Sequence, residues 1–133
     1  MAEVAIFDDV ELWLCTFLRS KLTARPEAYT TGVVVSNAVP KTRPARFVTV
    51  RRDGGPKVNP LQEVARVGVN VWAATEADAT NLARLTRAIL SGATSQGPVR
   101  RVTETSGPSP IPDVVPRRYF VAELLIHGSI ITV

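Results

Sequence analysis

Proton transfer, metal binding and nucleophilic attack each need particular side chains held close together, and few residues of this chain qualify. The only histidine, His127, has no carboxylate or thiol partner beside it in the sequence. One imidazole makes neither a metal site nor a catalytic triad unaided, so His127 reads as structural. The single cysteine, Cys15, excludes an internal disulfide and any multi-thiolate metal site. On the flank of a helix such a thiol is expected to behave as a small apolar group, in a chain that folds in a reducing compartment. The 12 carboxylates are scattered, and their one adjacent pair, Asp8-Asp9, suits helix capping better than acid and base work on a bond. Asp53-Gly54-Gly55-Pro56 leads into a proline and then a strand, whereas a phosphate cradle needs glycines that open a helix, so this segment reads as a turn. No catalytic, cofactor-binding or metal-binding residue is predicted, no cofactor is expected, and the chain is not expected to be an enzyme.

The basic residues offer a different chemistry. Lys and Arg number 16 against 12 Asp and Glu, a formal net charge of +4. Six of them, Lys41, Arg43, Arg46, Arg51, Arg52 and Lys57, fall in one stretch offset only by Asp53. Such a cluster serves as a solvated face, as a contact for a neighbouring protein, or as a surface for nucleic-acid phosphates. Phe47 among arginines, and Tyr119 after Arg117-Arg118, could imitate the base-stacking aromatics of nucleic-acid binders. A small basic nucleic-acid-binding module is therefore the alternative function, with Arg51, Arg52, Arg100 and Arg101 as its first contacts.

These residues must be positioned by secondary structure. Val10, Trp13, Leu14, Phe17 and Leu18 recur at three- and four-residue spacing and predict an amphipathic helix over residues 8–22, with Glu11, Cys15 and Arg19 towards its other side. Asp8 or Asp9 can cap it, and Arg25-Pro26 ends it. Strands are predicted at 30–36, 46–52 and 64–74. In the last of these Ala65, Val67, Val69, Val71 and Ala73 alternate with Arg66, Gly68, Asn70 and Trp72, so one face meets the core. Thr75 caps a second helix running to about Leu90, whose stripe of Ala79, Leu82, Ala83, Thr86, Ile89 and Leu90 suits close packing on a sheet, with Asn81, Arg84 and Arg87 outward and Gly92 as the stop. A strand at 99–105 precedes a proline-rich segment, 106–116, expected to be a loop or arm. A final strand covers 117–129. The order α-β-β-β-α-β-β predicts a single α+β domain over residues 1–133, two-layered, with a mixed, largely antiparallel sheet of about five strands and two helices packed on it. No apolar run reaches the ~18 residues of a membrane span, and no signal segment opens the chain, so no membrane partner is expected.

The final strand is apolar on both faces: Phe120, Ala122, Leu124 and Ile126 on one, Tyr119, Val121 and Leu125 on the other. A sheet with helices on one side should turn a polar second face to water, so Tyr119, Val121 and Leu125 are candidates for a subunit interface.

The opening DDVELWLCTFLRSKL helix, the RFVTVRRDGG turn, the VNVWA strand running into the Thr75 cap and the late YFVAELLIHG strand together resemble the tail-terminator proteins of bacteriophages with long non-contractile tails, particularly those infecting actinobacteria. The likeness covers roughly residues 5–130, and related minor tail and head-tail joining proteins share parts of it. It implies a structural virion subunit that forms a homohexameric ring at the head-proximal end of the tail, assembled in the host cytoplasm. The implied partners are other copies of itself, the tail tube protein and the head-tail connector or stopper protein. Within such a ring the basic 41–57 region would meet either a neighbouring subunit's acidic patch, which is the favoured expectation, or, non-specifically, the DNA passing through the lumen.

Overall fold

The computed structural model describes residues 1–133, with the backbone alone at residues 104 and 105. Two helices, α1 (Val10–Thr23) and α2 (Glu76–Ser91), and eight strands follow in the order β1 (Glu3–Ile6), α1, β2 (Val34–Ser36), β3 (Phe47–Arg52), β4 (Lys57–Asn59), β5 (Gln62–Trp72), α2, β6 (Val99–Pro110), β7 (Arg117–His127) and β8 (Ser129–Thr132). The main sheet runs β2-β3-β5-β7-β6, with β4 pairing onto β5, while β1 and β8 form a separate two-stranded ribbon. Only β2 and β3 run parallel; the other pairs are antiparallel. This is the expected α+β fold with a mixed, largely antiparallel sheet, but with six strands in the main sheet instead of about five.

Both helices begin where local chemistry places them. The Asp9 carboxylate accepts from the Leu12 amide at 3.1 Å, and the Thr75 hydroxyl accepts from the Asp78 amide at 3.1 Å, satisfying first-turn donors that the helix itself leaves unpaired. Both pack on one side of the sheet. Leu14, Leu18 and Leu22 of α1 and Leu82, Ala83 and Leu90 of α2 join Val48, Val50, Val67, Val69, Phe120 and Leu124 in one buried cluster. Each fully buried Leu or Phe there contributes roughly 1.5–3 kcal/mol of transfer free energy.

The predicted inward face of α1 is rotated in the structure. Cys15, expected on the other side, is buried, while Trp13 and Phe17 are half-buried and stack on each other at 5.1 Å between ring centroids. Ile89 likewise lies at the margin of the core.

The proline-rich segment is also corrected. Residues 106–110 continue β6, and only 111–116 form a loop. Prolines are tolerated because β6 is an edge strand whose ladder with β7 shifts register between Glu104 and Ser106 and again between Ser106 and Ser109. Three short strands, β1, β4 and β8, were not expected; none has enough residues to display a period of its own.

Candidate interaction surface

With both helices on one side, the other face of the main sheet carries no helix, and only its Phe47–Trp72 end is covered, by the 111–116 loop and the Arg43 and Arg117 side chains. Strand alternation assigns it: Phe47, Thr49 and Arg51 from β3, Val64, Arg66, Gly68, Asn70 and Trp72 from β5, and Arg117, Tyr119, Val121, Glu123 and Leu125 from β7. Tyr119, Val121 and Leu125, the predicted interface residues, therefore share one face. All three are half-buried, whereas Phe120, Ala122, Leu124 and Ile126 between them are fully buried against the helices.

One end of this face is an ordered knot. Phe47 and Trp72 sit opposite each other in the β3–β5 ladder and stack at 4.4 Å with planes 10° apart. The Arg117 guanidinium lies 4.9 Å from the Trp72 ring centroid and donates from Nε to Asn70 Oδ1 at 2.8 Å. Arg43 approaches both rings at 5.8 and 5.9 Å. The Trp72 indole N–H donates to Asp113 Oδ2 at 2.9 Å, which pins the 111–116 loop onto the sheet. That indole bond, with the Val114 amide and the nearby Arg43 charge, holds the Asp113 carboxyl below the usual carboxylate range. A depression of about 220 Å³ bordered by Arg43, Arg51, Arg117, Thr49 and Asn70 opens beside the knot.

The middle of the face depends on the absence of a side chain. A Cβ at Gly68 would stand 2.8 Å from the Tyr119 hydroxyl and 3.1 Å from its ring, so glycine lets the tyrosine lie down across β5. Arg66 and Glu123 bridge the same two strands at 3.0 Å. Tyr119, Val121, Arg66 and Glu123 border a second depression of about 420 Å³, and Val58, Val64, Leu125 and Arg101 a third of about 320 Å³. The whole face is thus shallow and mixed in polarity, with the Arg66–Glu123 pair lying between Tyr119 and Val121 on one side and Val64 and Leu125 on the other. Open depressions of this kind suit a protein surface better than a small molecule, which binds in enclosed clefts.

The six basic residues of the 41–57 stretch do not form one patch. Alternation along β3 sends Arg51 and Arg52 to opposite faces of the sheet. Arg52 is half-buried and pairs with Glu63 at 2.9 Å; Arg46 pairs with Asp78 at 3.1 Å beside the start of α2. Arg43 stands 3.4 Å from Asp113, and Arg51 stands 3.9 Å from Glu11, whose carboxylate also accepts from the edge amide of Arg52 at 2.7 Å. Lys57 lies 5.9 Å over the Phe7 ring, and Lys41 is exposed on the loop before β3. Phe47 is only 1% exposed under its tryptophan and cannot offer its ring to a base. Arg100 and Arg101 are exposed on the edge strand β6.

The Trp72–Asp113–Arg117 knot was not foreseen. The signals were a tryptophan at a polar parity position of β5 and the lone acid of the proline-rich segment, which only the β7 register brings together. Among the described residues, no three His, Cys, Asp or Glu side chains gather to hold a metal ion, and no helix is long and apolar enough to cross a membrane. His127 is half-buried at the end of β7, its amide donating to the Pro98 carbonyl at 2.9 Å. No family model matches the chain, and no curated protein matches it.

Proposed function

We propose that this chain is a structural subunit that assembles side by side with copies of itself into a ring, and that the ring caps the head-proximal end of a phage tail tube, as its resemblance to tail-terminator proteins implies. The observation that carries the assembly step is the helix-free sheet face that carries Tyr119, Val121 and Leu125. The resemblance supplies the rest: a ring that ends tube growth and receives the head connector.

The dimensions favour a protein partner. Eleven residues of β5 span about 35 Å, and the three strands that form the face about 14 Å, so the face measures on the order of 500 Å². Each partner in a standard protein interface contributes roughly 800 Å². A contact between two different patches of the same chain closes into a ring when the rotation allows it, and such a contact leaves no patch unused. A nucleic-acid track would need a run of cations, but this face places Glu123 and Asp53 beyond its arginines.

Electron microscopy of the purified chain, alone and mixed with phage tail tubes, tests the proposal. Rings of several copies are expected, seated at one end of each tube. Val121→Asp and Leu125→Asp should fold normally yet form no rings, because each places a charge in the contact. A wild-type chain that stays single even beside tubes, or aspartate variants that assemble like the wild type, would overturn it.

A further inference from the structure

Arg46, Arg52, Arg66 and Arg118 each close an ion pair at 3.1 Å or less, with Asp78, Glu63, Glu123 and Glu76. The three arginines that border the depression beside Trp72 do not. Arg43 and Arg117 each stand 3.4 Å from Asp113, and Arg51 stands 3.9 Å from Glu11. Neutral donors hold those carboxylates instead. Asp113 accepts from the Trp72 indole at 2.9 Å and the Val114 amide at 2.6 Å, and Glu11 accepts from the Arg52 amide at 2.7 Å and the Asn37 side chain at 3.1 Å. The guanidiniums at the notch therefore keep unused N–H donors, and 66% of the Arg51 side chain and 40% of that of Arg43 lie open.

The sheet builds a floor between them. Thr49 and Asn70 stand abreast on β3 and β5. The rows on either side, each roughly 7 Å away, carry Arg117 abreast of Trp72 and Arg51 two residues beyond Thr49, while Arg43 closes the rim from the loop before β3. Thr49 is only 4% exposed and borders the depression, and its hydroxyl makes no hydrogen bond among the described residues. Asn70 Oδ1 accepts from Arg117 Nε at 2.8 Å, which turns the amide nitrogen of Asn70 away from that guanidinium; it too has no acceptor among the described residues. Sheltered donors of this kind are served by water or by a ligand.

We propose that this notch binds a phosphate-type oxyanion. Three guanidiniums facing the single Asp113 carboxylate leave two positive charges, which a dianion neutralises. The donors come from two strands of the floor, from β7 and from a loop. A planar carboxylate matches one guanidinium fork, whereas a tetrahedral group turns oxygens to several donors at once. An organic ligand needs an enclosed cleft, but an oxyanion is held by charge-assisted hydrogen bonds, and a depression of about 220 Å³ has room for one phosphate group and a few waters. The phosphate is either free or the terminal group of a nucleic-acid strand; internal phosphodiesters carry a single charge and need the continuous cationic track that this face lacks. The site is complete within one chain, so its occupancy does not depend on ring assembly.

Titration of the full chain with inorganic phosphate, followed by two-dimensional NMR with ionic strength held constant by sodium chloride, tests the site. The Trp72 indole N–H and the Thr49 and Asn70 amides should shift saturably, sulfate should compete, and acetate should bind roughly tenfold more weakly or worse. Arg51→Gln and Arg43→Gln, both at exposed positions, should each weaken phosphate binding by roughly tenfold with melting temperatures near the wild-type value, and Thr49→Val should weaken it by roughly threefold. Arg84→Gln, exposed on α2 across the sheet, should leave it unchanged. An oligonucleotide that shifts the same signals only when it carries a 5′-phosphate would identify a strand end as the source, and oligonucleotides that are silent in both forms while phosphate binds would identify free phosphate. No saturable shift at Trp72, acetate binding as well as phosphate, Arg51→Gln losing no more than Arg84→Gln, or an oligonucleotide that binds equally without its terminal phosphate would each overturn the oxyanion site and leave the ring proposal standing.

Discussion

Leu124 and Leu125 are neighbours on β7 with opposite environments, and truncating each to alanine separates the covered face from the open one. Leu124 is 0% exposed and packed in the core cluster. Removing three carbons there loses their transfer free energy and leaves a cavity, which in buried leucine positions costs about 2.7–5 kcal/mol. Unfolding entropy of about 2.1 cal/mol/K per residue gives this chain about 280 cal/mol/K, so 1 kcal/mol shifts the melting temperature by about 3.6 °C. Leu124→Ala should therefore lower it by about 10–18 °C. Leu125 is half-buried and borders an open depression. Its truncation forfeits about 1 kcal/mol or less and should lower the melting temperature by at most about 4 °C. Self-association should show the opposite ranking once the destabilised variant is studied well below its melting point. Urea unfolding followed by the fluorescence of Trp13 and Trp72 measures both stabilities. Equal losses from the two truncations would refute the claim that this face is uncovered in the single chain.

Three further outcomes follow from the same contacts. Asp113 has a depressed carboxyl pKa, so its contribution to stability is present above the ordinary carboxylate range near pH 3.9 and is lost as pH falls through its lower folded value; the melting-temperature gap between wild type and Asp113→Asn should be constant from pH 7 to about 5 and close below about 4. Gly55 has φ +120° and a Cβ there would stand 2.0 Å from the Val64 carbonyl oxygen, so Gly55→Ala should destabilise by roughly 2–4 kcal/mol in urea titrations. Burial raises the Cys15 thiol pKa, so labelling with a thiol reagent at pH 8 should be slow in the native chain and limited by unfolding, and labelling as fast as that of a free thiol would show α1 to be frayed.

Local signals in the sequence carried the helices and most of the strands. Asp9 and Thr75 are caps that act within three residues, and the alternation of Ala65, Val67, Val69 and Val71 is a property of one strand, so these elements were legible from spacing alone. The same alternation marked Tyr119, Val121 and Leu125 as surplus to one core. What it left open was which residues from distant strands share a face. Arg51 and Arg52 are adjacent in the chain and far apart in role, because neighbouring strand residues point to opposite sides. Cys15 lies under the helix and Trp13 at its flank because the rotation of α1 answers to the sheet beneath it, not to its own apolar count.

The amino-acid sequence by itself determined the two helices, the strand alternation and an apolar excess on β7. Only the tertiary structure decided that Asp113 pins Trp72 forty-one residues away, that the first and last strands pair into a separate ribbon, and that three arginines meet beside Trp72 at one end of the open sheet face. The division has a physical cause: caps and periodicity arise from contacts within a few residues, whereas each of these meetings depends on strand register and on the entropy of closing long loops, which no local spacing encodes.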